Sequence, residues 1–146
     1  MVTSFKTDLL NGIHAFGPSV IRATTTADSF KAALYLASAT VNASTTAYSA
    51  TGEVSGSNYV AGGVAVTTAT APAASGTTAF VTPSASIVFA NVTLTTSFDC
   101  VLLYNNTAAG KNAVSVHTFT AQTITAGTLT LTMPVNSDTT ALIRLA

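Results

Sequence analysis

The chain has 146 residues, 48% of them hydrophobic and only 7% charged, and its five basic and five acidic residues cancel to a formal net charge of zero. An ordinary soluble domain of this size carries about a quarter charged residues, so the composition excludes a basic patch able to displace phosphate counterions from nucleic acid. It also leaves little like-charge repulsion to hold copies apart.

Residues 1–28 read as an N-terminal arm. Phe5, Leu9, Leu10, Ile13 and Phe16 recur at intervals of three and four, the pattern of one apolar helix face. Ser4 suits the cap, and Gly12 and then Gly17-Pro18 limit the helix to about two turns. A helix so short needs something to pack on: either the chain's own core or a neighbouring subunit. The stretch 20–28, with Thr24-Thr25-Thr26, fits a linker or an edge strand. Nothing in the first ten residues has the apolar run and small-residue cleavage site of a secretory signal.

From Ser29 the period changes to two. Phe30, Ala32, Leu34 and Leu36 face one way and Lys31, Ala33, Tyr35 and Ala37 the other, which predicts the first strand of a domain over 29–146. Residues 39–63 are Ala, Ser, Thr, Asn and Gly with isolated Tyr48, Val54 and Tyr59, the composition of a long loop. Val64 to Thr67 reads as a strand, and 70–76 as a turn-rich connection around Pro72 and Gly76. Short strands follow at 78–82, 87–89 and 92–96, separated by Pro83-Ser84 and by Ala90-Asn91.

Phe98 to Tyr104 is apolar on both faces apart from Asp99, which predicts a central strand covered on two sides. The cluster 105–112 turns the chain into a partner strand at 113–119. Residues 127–133 alternate apolar side chains with Thr, the mark of one buried and one wet face. Pro134 ends that strand, and 141–145 forms the last. Eight or so strands at roughly ten-residue spacing predict an all-β fold, an antiparallel β-sandwich of jelly-roll-like form with a short N-terminal helix or arm. No run approaches the apolar length of a membrane span.

The residues that carry chemistry are scattered. His14 and His117 lie in no cluster with metal-ligand spacing, and Asp8, Asp28, Glu53, Asp99 and Asp138 are each isolated in sequence. No serine sits in a Gly-x-Ser-x-Gly elbow, and the glycines of 52–63 lack the Lys-Ser/Thr ending of a phosphate loop. Cys100 lies in an apolar strand, which predicts a buried, idle thiol. The sequence therefore predicts no catalytic, cofactor-binding or metal-ligating residues, and no small-molecule substrate.

Phe5-Lys6-Thr7-Asp8-Leu9-Leu10-Asn11-Gly12-Ile13-His14, Phe30-Lys31-Ala32-Ala33-Leu34-Tyr35, and Glu53-Val54-Ser55-Gly56 through Tyr59 to Gly62-Gly63 together resemble a family of small virion proteins of tailed bacteriophages and prophages. The resemblance extends to Leu102-Leu103-Tyr104-Asn105 and Ala141-Leu142-Ile143-Arg144, so it covers most of the chain. It implies a structural component of the phage particle, not an enzyme: a head decoration or cement protein whose partners are the major capsid protein and copies of itself. A tail, adaptor or fibre component is the alternative, and a non-viral carbohydrate- or protein-binding β-module a further one. The contact residues expected on this reading are Phe5, Leu9, Leu10, Ile13 and Phe16 of the arm and Tyr48 and Tyr59 of the long loop, with exposed tyrosines, Tyr35 included, as anchors in the tail version.

Overall fold

The computed structural model of the chain describes residues 2, 4, 5, 9, 13–16 and 27–146; Leu10 lies outside them. Seven strands are formed there: β1 (Phe30–Leu36), β2 (Val64–Val66), β3 (Ala73–Ser75), β4 (Thr78–Val81), β5 (Ile87–Asn105), β6 (Ala113–Leu131) and β7 (Ile143–Leu145). They pair antiparallel throughout, in a four-stranded sheet of order β2-β1-β5-β6 and a three-stranded sheet of order β3-β4-β7. The fold is all-β and sandwich-like.

The short strands expected at 87–89, 92–96 and 98–104 are one 19-residue strand, and those expected at 113–119 and 127–133 are another. The Ala90-Asn91 step that reads as a turn is instead an irregularity within the ladder. Asn91 takes a φ of 53°, Ala126 on β6 takes 46°, and pairing resumes after each register shift. Extra residues of this kind bend a strand and tighten its twist. Ile87 and Leu103 would stand roughly 50 Å apart on a straight strand. They line one cavity of about 330 Å³ together with His117, Leu131 and Met133, so the hairpin folds back over itself.

Where 70–76 reads as a connection, Ala73–Ser75 pairs with Thr78–Val81 through a two-residue turn, with Gly76 at φ +55°. All three residues of β3 are exposed, so the strand has no burial pattern by which its sequence would reveal it. The 105–112 turn and the strand at 64–66 form as expected, and residues 127–133 alternate half-buried and exposed in step with their apolar and Thr side chains.

Cys100 through Asn105 are all buried, as the two-sided apolar pattern requires. The register with β1 sets Lys31, Ala33 and Tyr35 beside Tyr104, Leu102 and Cys100 on one face, and Phe30, Ala32 and Leu34 beside Asn105, Leu103 and Val101 on the other. The 39–63 loop covers the first face. Its backbone comes so close that a Cβ on Gly56 would stand 1.9 Å from the Thr93 carbonyl oxygen, and one on Gly63, where φ is +73°, 1.8 Å from that of Ala32. Only glycine fits at either place.

The second face is covered from the chain's own beginning. Val2 and Phe5 are fully buried in the same apolar core as β1 and β5, and Leu9 and Phe16 pack against it. Ser4, Phe5 and Leu9 are helical and Ile13 through Phe16 are not, so the apolar spacing that extends to Phe16 runs beyond the helix. The Phe16 ring stacks on Phe30 with centroids 4.6 Å apart, and the Val2 amide donates to the Val114 carbonyl at 3.1 Å. Of the two fates open to the arm, the structure takes packing on its own core.

Candidate functional site

All four tyrosines of the chain converge on the long loop. The Glu53 carboxylate is the hub: Oε1 accepts the Tyr59 hydroxyl at 2.7 Å and the Gly62 amide at 2.8 Å, and Oε2 accepts the Tyr48 hydroxyl at 2.7 Å. Tyr59 in turn accepts the Leu34 amide at 3.0 Å, which fastens the loop to β1. Tyr104 donates to the Gly62 carbonyl at 2.7 Å and stacks on Tyr48 at 4.6 Å. Tyr35 donates to the Ser49 carbonyl at 2.5 Å. Hydrogen bonds to an ionised acceptor are the stronger ones, so the Glu53 carboxylate ties together parts of a loop that has no regular strand or helix.

The electrostatics follow from that packing. Burial pushes the Tyr35 hydroxyl up to about 12, with the Glu53 charge adding to it. Burial, and then the hydrogen bond to Glu53, hold Tyr48 and Tyr59 well above the usual phenol value, since each hydroxyl would have to abandon a carboxylate in order to ionise. Tyr35 is 1% exposed, which corrects the expectation of an exposed ring there. Tyr48 and Tyr59 are half-buried, and both hydroxyls are engaged inside the chain.

A second cluster ties the arm to the end of β5. Asn105, fully buried, donates through Nδ2 to the Ile13 carbonyl at 3.0 Å and to Asp28 Oδ2 at 2.8 Å, and stands 3.2 Å from His14 Nδ1. Its Oδ1 accepts the amides of Thr107 and Ala108. Asp28 Oδ2 also accepts the Ala15 amide at 2.8 Å. One amide side chain thus joins the arm, the entry to β1 and the hairpin turn. Sequence reasoning missed it: Asn105 reads as an ordinary turn residue, and its partners Ile13, His14 and Asp28 lie more than 75 positions away.

Two further features lie on the arm's side of the sheet. An apolar cleft of about 230 Å³ opens between Phe5, Leu9, His14 and Phe16 of the arm and Phe80, Val81, Ile143 and Leu145 of the three-stranded sheet. On β6, His117 Nε2 and Ser115 Oγ share a hydrogen bond at 2.9 Å, and burial lowers the His117 value below the usual 6.5. Ser115 is 1% exposed, out of reach of a substrate. Cys100 is buried, its thiol pushed up to about 11 by burial and then by Asp99. No group of three or more His, Cys, Asp or Glu side chains able to hold a metal occurs among the described residues.

The arm and loop residues expected to make contacts are therefore brought to opposite faces of the central strand. Phe5, Leu9 and Phe16 pack on one face, Tyr48 and Tyr59 on the other, and the half-buried Ile13 reaches the cluster through its carbonyl. The remaining broad surface is the outer part of the β5–β6 hairpin, where Thr118, Thr120, Gln122, Thr123, Thr125 and Thr128 are exposed. No protein-family model, no curated protein and no solved structure matches the chain.

Proposed function

We propose that the chain is a structural subunit of a tailed-phage particle, a head decoration or cement protein that acts by occupying a place between neighbours and not by turning over a substrate. Its partners on this reading are the major capsid protein and further copies of itself, and its location is the virion. The observation that carries the reading is the hairpin formed by β5 and β6. From Ala113 to Leu131 its outer strand has no Asp, Glu, Lys, Arg or Pro, while much of its surface is exposed. Over the whole chain, five acidic and five basic side chains share 7429 Å² of accessible surface. Such a surface loses little hydration energy when a neighbour covers it, because few charges need to be stripped of water.

A cement protein adds free energy to the assembled lattice alone, by burying interface that the separated subunits lack. A rigid body transmits that energy better than a soft one, and the Glu53 hub and the Asn105 cluster supply rigidity where the backbone is irregular. Quantitative mass spectrometry of purified particles from a host carrying the gene tests the reading. A copy number on the scale of the shell subunit supports decoration. The copy number of a single ring or fibre moves the chain to the tail, and absence from the particle overturns the proposal.

A further inference from the structure

Protein interiors are packed closely enough that voids larger than a water molecule are few. The cavity of about 330 Å³ formed where the β5–β6 hairpin folds back is an exception, and it lies in the size range of sites that hold small molecules. Its floor is aliphatic: Ile87, Val101 and Leu103 are 2%, 2% and 4% exposed. Such a floor gives water no hydrogen bonds, and a water held inside a protein needs two or more. The polar groups stand elsewhere. Thr118, Thr130 and Thr132 line the cavity and are themselves exposed, which sets them at its mouth, and His117 is the one titratable side chain among the described lining residues.

We infer that this cavity binds a small uncharged molecule, mainly apolar and carrying one hydrogen-bonding group, which is held and not turned over. The apolar body is set by the floor and by Phe119 and Met133 of the wall, whose contact with it removes apolar surface from water. The polar atom is set by His117. Its Nε2 shares a hydrogen bond with Ser115 Oγ at 2.9 Å, which orients the ring and leaves Nδ1 as the other polar atom it can offer. Burial favours the neutral ring, so a ligand meets a hydrogen-bonding group and not a fixed charge. A second copy of the chain brings nothing that fits. The large apolar side chains it exposes among the described residues are Val60, Val88 and Val135, and a valine fills only a fraction of the space. A bound molecule touches Ile87 at the start of β5 and Val101 and Leu103 near its end, so binding favours the folded-back form of the hairpin.

This inference stands apart from the assignment to a particle, since the purified chain alone tests it. Para-cresol is titrated into the methyl-labelled full chain and followed by NMR, with toluene and para-hydroxybenzoate as comparisons. Para-cresol shifts the methyl signals of Ile87, Val101, Leu103 and Met133 together and saturably, in the millimolar range or below. Toluene, which lacks the hydroxyl, binds at least about threefold more weakly. Para-hydroxybenzoate, which brings a carboxylate against the aliphatic floor, binds at least about tenfold more weakly. Thr130→Trp, a change at the exposed mouth, closes the entrance and weakens para-cresol at least about tenfold, with circular dichroism checking the fold. No saturable shift up to the solubility limit overturns the inference, as do saturable shifts confined to other methyl groups. Toluene or the carboxylate binding as tightly as para-cresol also overturns it, and so does an unchanged affinity in a folded Thr130→Trp. Should that variant fold poorly, the three titrations of the wild type decide by themselves.

Discussion

Glu53 Oε1 lies 2.7 Å from the Tyr59 hydroxyl and 2.8 Å from the Gly62 amide, so one carboxylate oxygen closes residues 53–62 of the long loop upon themselves. With Oε2 on Tyr48, the side chain accepts three hydrogen bonds in a half-buried setting. Glu53→Ala leaves two phenols and an amide to find new partners. The expected loss is about 3 kcal/mol, from charged hydrogen bonds of about 1.5 kcal/mol or more each, partly regained by water. Glu53→Gln costs less, because its Oε1 still accepts. Chemical denaturation of the three proteins measures both, and a loss below about 1 kcal/mol for the alanine variant contradicts the hub.

The same hub makes the fold sensitive to alkali. Folding raises the tyrosine values above the usual 10, Tyr35 to about 12, through burial first. The stabilisation is present in full below pH 10 and is lost as the pH rises through the folded values, because the unfolded chain gives up those protons first. Tyrosinate absorbance should appear together with unfolding and not before it. Titration of the tyrosines near 10 in a chain that remains folded contradicts the burial described.

His117 gives the opposite slope on the acid side. Burial lowers its folded value below 6.5, so the neutral ring is the form the fold accepts. As the pH falls below about 6.5 the unfolded chain binds the proton first, and stability declines until the folded value is reached. Thermal midpoints measured from pH 7 downward should fall more steeply for the wild type than for His117→Gln. Equal slopes contradict the assignment.

Much of the fold is legible in the sequence because burial repeats with the period of a strand. Phe30 to Leu36, Cys100 to Tyr104 and Gly127 to Met133 could be read from alternation or from apolar runs alone. Three things could not be read. The fusion of short strands into β5 and β6 depends on Asn91 and Ala126 accepting positive φ within a ladder, which a turn signal does not distinguish from a true turn. β3 has no buried face. The roles of Glu53 and Asn105 arise from tertiary contact: Glu53 is one isolated acid among five, and Asn105 meets Ile13 and Asp28 only when the arm docks.

The arm supplies a further check. Phe5 is 0% exposed and sits against His14 and Phe16. Phe5→Ala should destabilise the isolated chain by about 3 kcal/mol or more, the usual cost of emptying a core aromatic site. An arm that docked on a neighbour would leave the isolated chain's stability unchanged on the same substitution.

A reconstruction of the intact particle by electron cryo-microscopy, from a host carrying the gene, tests the central claim most directly. The account predicts density for this two-sheet domain at repeated positions over the head, bridging shell subunits. Well-resolved particles in which no density fits the domain, on head or tail, contradict it.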